Sequence, residues 1–121
     1  VLLVKVHLGE PEYVLVQHGQ PIAHWLASTV WGSVVKKLLE RLDFRVEEID
    51  ATNMVESFMQ FGDEDSLDCD VFTLIQAVLE EFGVEFLNRP LEREQALRLQ
   101  EKVTILNGTL LPEGVFLSES W

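Results

Sequence analysis

Pro21-Ile22-Ala23-His24-Trp25-Leu26-Ala27-Ser28-Thr29-Val30-Trp31-Gly32-Ser33-Val34-Val35-Lys36-Lys37-Leu38-Leu39-Glu40-Arg41-Leu42 is the stretch around which the chain is organised. Apolar residues recur at Leu26, Ala27, Val30, Trp31, Val34, Val35, Leu38, Leu39 and Leu42, and polar or small ones fill the gaps. That period belongs to a helix, and the reading is one amphipathic rod over Ile22–Leu42. Pro21 suits its first turn, where a missing N–H is no loss. At ~1.5 Å per residue such a rod is about 31 Å long and crosses a small domain. Phe44-Arg45-Val46-Glu47-Glu48-Ile49-Asp50 follows and alternates apolar with polar, so it reads as a half-buried strand. So short a link packs the helix back on the sheet that holds the strand.

Upstream, Val1–Leu8 and Glu12–Gln17 read as two strands joined through Gly9-Glu10-Pro11, a hairpin. Downstream, Met54, Val55, Phe58 and Met59 predict a short helix to Phe61, with an edge strand as the alternative. Val71–Phe82 is a helix that Asp68 or Asp70 can cap and that Gly83 ends. Val84–Leu87 reads as a short strand, and Leu91–Val103 as a charged, weakly anchored helix. The tail offers strand pieces at Thr104–Leu106, Thr109–Leu111 and Val115–Leu117, with Asn107-Gly108 as a turn. The sum over residues 1–121 is a single α+β domain, a mixed sheet with helices packed on it. A three-layer α/β arrangement is the alternative.

The chain has 121 residues, 47% of them hydrophobic, too many for a disordered segment. No apolar run reaches the ~18 residues of a membrane span, and Val1–Val4 lacks the flanks of a signal peptide. The single cysteine, Cys69, rules out an intrachain disulfide and fits a reducing, cytoplasmic compartment. Net charge is −12, and it is uneven. Residues 46–88 hold twelve Asp/Glu and no Lys or Arg, whereas residues 1–45 sum to +1 and 89–121 to −1. Such a field repels nucleic acid and anionic lipid and attracts basic surfaces.

Candidate chemistry is sparse. His18 and His24 bracket Gly19-Gln20-Pro21 and could converge on a metal or small ligand, with oxygens from the 63–70 loop. No zinc or metalloprotease spacing supports them. The loop Asp63, Glu64, Asp65, Asp68, Asp70 fails the calcium pattern in both frames, because Leu67 or Val71 stands where a ligand or glycine must. The small residues Ser28, Thr29, Gly32 and Ser33 lack a phosphate-loop pattern and suit close packing. Cys69 lies between carboxylates that disfavour its thiolate. Trp25 and Trp121 read as aromatic interface anchors. The expectation is therefore a non-enzymatic interaction domain, an adaptor, inhibitor or assembly factor. Its acidic face (Asp63, Glu64, Asp65, Asp68, Asp70) meets a basic protein; it needs no cofactor, binds neither nucleic acid nor membrane, and forms a homodimer. The rival expectation is a small metal- or ligand-binding protein or enzyme built on the His18–His24 turn.

Overall fold

A computed structural model describes residues 1–61, 70–107 and 115–117, leaving aside the side chains of 31–33, 107 and 115–117. The expected α+β domain with a mixed sheet is present. Strands β1 (Leu2–Leu8), β2 (Glu10–Gln17), β3 (Gln20–Leu26), β4 (Glu47–Asp50) and β5 (Val115–Leu117) form one sheet in the order β4-β1-β2-β3-β5. Helices α1 (Trp31–Arg41), α2 (Thr52–Phe61), α3 (Val71–Glu81) and α4 (Arg93–Asn107) pack around it. The pairs β1/β2 and β2/β3 are antiparallel, whereas β1/β4 and β3/β5 are parallel. The expected first hairpin is present, with Gly9 (φ 80°) at its tip, but β2 begins at Glu10 and not Glu12, so Leu8 stands opposite Glu10.

The organising stretch corrects the reading of a single rod. Its first third is strand β3, and only Trp31–Arg41 is helical. The cause lies just upstream. His18 (φ 53°) and Gly19 (φ 74°) both adopt left-handed backbone, as the tightest two-residue hairpin turn requires. That turn folds Gln20 back against Gln17 and commits the following residues to pair with β2. Ala23 then faces Leu15 across the ladder and Trp25 faces Tyr13. The register shifts between Leu15 and Val16, which leaves Ile22 as the extra residue of a β-bulge. The strand stops where Thr29 turns back on Leu26, its N–H and hydroxyl both donating to the Leu26 carbonyl.

Three further expectations are corrected. Val84–Phe86 is a turn of 3-10 helix: Gly83 (φ 98°) ends α3, and Phe86 and Leu87 N–H groups bond back to Gly83 and Val84. Thr104–Leu106 is the last turn of α4 and not a strand. The strand expected over Phe44–Asp50 begins only at Glu47, because Asp43 (φ 61°) and the Phe44 N–H bond to the Leu39 carbonyl close off α1 first. The edge-strand alternative for 54–61 gives way to helix α2. The pairing of Thr109–Leu111 and the turn at Gly108 lie outside the described residues.

Strand alternation divides the core in two. Val4, Val6, Val14 and Val16 point to one face and meet Met54, Val55 and Phe58 of α2 and Leu74, Ile75 and Val78 of α3, all buried. Helix α4 closes over these two helices with Ala96, Leu99, Val103 and Leu106, so it is firmly anchored, contrary to expectation. The buried Ser57 hydroxyl fastens this side: it donates to the Met54 carbonyl (2.7 Å) and accepts from the Leu91 N–H (2.7 Å). The other face carries Leu3, Leu15 and Trp25, covered by Val35 and Leu39 of α1. Helices therefore lie on both sides of the sheet. Among the described residues no helix is long and apolar enough to cross a membrane.

Candidate functional site

Strand register decides which polar groups meet. One row across the sheet runs Asp50, Lys5, Tyr13, Trp25. Beyond that row, toward the Gly9 turn, lie Glu12 and Glu10 on β2 and the start of α2 after Asp50. Helix α3 packs against β3 and β2. Its Phe72 ring packs 4.9 Å from the ring of His24, whose Nδ1 lies 3.0 Å from Glu12 Oε1. Asp70 immediately precedes α3 and caps it, accepting the Thr73 N–H at 2.7 Å. Glu10 and Glu12 thus stand on the α2/α3 side of the sheet and Asp50, paired with Lys5, on the α1 side, all three at the Gly9 end.

Each is held by local chemistry. Asp50 accepts the Thr52 N–H (2.9 Å) and hydroxyl (2.5 Å), and these two bonds hold its carboxyl below the usual carboxylate range. The Thr52 hydroxyl also accepts the His7 N–H, tying β1 to the start of α2. Glu10 accepts a hydrogen bond from the Ser28 hydroxyl. Ser28 and Thr29 are thereby occupied just beyond β3, and they do not form the small face of a helix.

Other carboxylates of the 46–88 segment face cations from its neighbours. Glu48 meets Lys36 of α1 at 2.6 Å, and that contact raises the lysine pKa above its ordinary value. Glu81 meets Arg98 (3.0 Å) and Glu80 meets Lys102 (3.3 Å), joining α3 to α4; Glu47 lies 3.8 Å from Arg45. Among the described residues the segment's negative charge is countered at the far end of α3 and along β4.

The remaining expected site residues separate. Asp63, Glu64, Asp65, Asp68 and Trp121 lie outside the described residues. Trp25 is no exposed anchor: it is 0% exposed and stacked 5.9 Å from Tyr13, and its Nε1–H has no acceptor among the described residues. The strand assignment is the reason, because it turns Trp25 inward beneath α1. His18 and His24 do not converge. His18 sits at the hairpin tip and His24 opposite Val14, a strand separation of at least about 10 Å. Among the described residues no three His, Cys, Asp or Glu are grouped as a metal would need. His18 instead borders a cleft of about 290 Å³ at the opposite end of the sheet, with Val16, Gly19, Arg45, Glu47 and Val84 among its walls.

Sequence reasoning did not place Glu10 and Glu12 at the sheet end where Asp50 lies. The signal was present in the Gly9 turn, whose two-strand register fixes what stands beside β1. No family model matches this chain, and comparison with curated proteins and with solved structures gives no match, so any functional reading rests on the geometry alone.

Proposed function

We propose that the protein is a non-enzymatic interaction domain, an adaptor, inhibitor or assembly factor, that binds a basic protein partner at the acidic end of its sheet. The observation that supports the reading is that register sets Glu10, Glu12 and Asp50 at one end of the sheet, on its two faces. In sequence, Asp63, Glu64, Asp65 and Asp68 directly precede Asp70, the cap of α3. A carboxylate-rich surface speeds encounter with a cationic one and repels phosphate backbones. A cytoplasmic setting belongs to the same reading, on the ground of the single cysteine.

The test is a pull-down from the source lysate at about 50 mM and about 500 mM salt, with captured proteins identified. The expected captive is basic, is released at the higher salt, and is lost when Asp63, Glu64, Asp65 and Asp68 are changed together to Asn, Gln, Asn and Asn. Capture should survive His18→Ala. A captive that is not basic, or that ignores both salt and the neutralised loop, overturns the reading. The rival reading retains one support, the cleft beside His18, and would use that histidine without His24. A small ligand that copurifies with the protein and is lost in His18→Ala would favour it.

A further inference from the structure

Helix α1 carries more apolar surface than the sheet covers. Val35 and Leu39 turn inward onto Leu3, Leu15 and Trp25. On the outer side, Val30, Val34, Leu38 and Leu42 are spaced four apart and are 57%, 45%, 57% and 61% exposed. Residues at that spacing stack along one helix face, so the four form a continuous ridge running the length of α1. Phe44 and the bulged Ile22 (42% and 40% exposed) extend the apolar surface past its end, where they border a shallow notch with Leu15 and Leu39. Scattered exposed apolar residues need no explanation; a row of them on one helix face does.

The charge beside the ridge is cationic. Lys37 and Arg41, again four apart, flank it on the solvent side, about 60–100° around the helix from Leu38. Among the described residues neither makes an ion pair, although Lys36, Arg45, Arg98 and Lys102 all do. Glu40 falls about 160° from Leu38, away from the ridge. In a chain of net charge −12, an apolar ridge edged by two uncommitted cations has a definite complement.

From this complementarity we infer that the outer face of α1 docks an amphipathic helix of another protein, one whose apolar stripe is flanked by Glu or Asp. A second copy of the chain is the poorer occupant. An antiparallel pair of α1 helices across a two-fold axis sets Lys37 and Arg41 against the same residues of the other copy, and two bodies of −12 repel. The inference does not depend on the acidic end of the sheet. If both hold, the domain joins a basic partner to an acidic one.

Two labelled helical peptides test it, with identical leucine stripes and either Glu or Lys at the flanking positions, read by fluorescence anisotropy against the whole chain. The Glu-flanked peptide should bind about ten-fold more tightly. Leu38→Glu should abolish binding of both, and Lys37→Glu with Arg41→Glu should invert the preference. These surface changes leave the core intact, and circular dichroism confirms the fold of each variant. Equal binding of both peptides, no binding, or binding that survives Leu38→Glu overturns the inference. So does a wild-type dimer in sedimentation that Leu38→Glu turns into a monomer, because a second copy then occupies the ridge.

Discussion

The two faces of the sheet are covered in different ways. Behind Val4, Val6, Val14 and Val16 stand α2 and α3, and behind these stands α4; Met54, Ile75, Val78, Ala96 and Leu99 are all 0% exposed. Among the described residues the one helix over Leu3, Leu15 and Trp25 is α1, with Val35 and Leu39 only partly buried and Val34 and Leu38 open to solvent. One side is a packed core two helices deep. The other is a single helix whose apolar arc is wider than the surface beneath it. The difference separates apolar residues kept for stability from apolar residues available to something else.

Substitutions on the two faces should therefore have unequal effects. Ile75→Ala, in the deep core, removes buried atoms where neighbours cannot collapse, and should lower unfolding free energy by about 4 kcal/mol in urea denaturation. Ser57→Ala on the same side leaves the Leu91 N–H buried without its acceptor and should cost about 2 kcal/mol by the same measurement. At the start of α2, Asp50→Ala should cost about 1 kcal/mol near neutral pH. Its carboxyl is lowered by Thr52 in the folded state. Its contribution is therefore complete above the ordinary carboxylate pKa and fades as pH falls through the lowered value, so wild type and variant should converge in acid. Smallest is Leu38→Gln on the open ridge, within about 0.5 kcal/mol of wild type. A loss of 2 kcal/mol or so there would mean the ridge is already covered and would erase the contrast.

Much of the architecture was legible because strong local signals agreed with the final packing. Gly9 between two alternating runs gave the first hairpin, and the period of Val71–Phe82 gave α3 with Asp70 as its cap. The organising stretch misled for a definite reason. Ile22, Ala23, Trp25 and Leu26 satisfy a helical period, but neighbouring strands can use the same residues. His18-Gly19 decided between the two, and histidine is a less familiar occupant of left-handed backbone than asparagine or aspartate. That one turn moved Trp25 from a helix margin into the core and set His24 beside Glu12. The candidate site was less legible still. Glu10 and Asp50 are forty residues apart in sequence, and only the parallel pairing of β4 with β1 brings their strands to a common end. The cations that counter Glu48, Glu80 and Glu81 come from α1 and α4, which a tally by segment cannot see.

The outermost strand on one side of the sheet is β4, four residues long, Glu47-Glu48-Ile49-Asp50. An unpaired strand border is a template on which another chain can add, and fibrils grow from such borders. Here three of the four residues are acids, and the run is too short to hold an incoming strand in register. The same carboxylates that darken the composition of the middle segment thus act as a guard on the ladder. Replacing Glu47 and Glu48 with valine or threonine would invite fibril growth along that border.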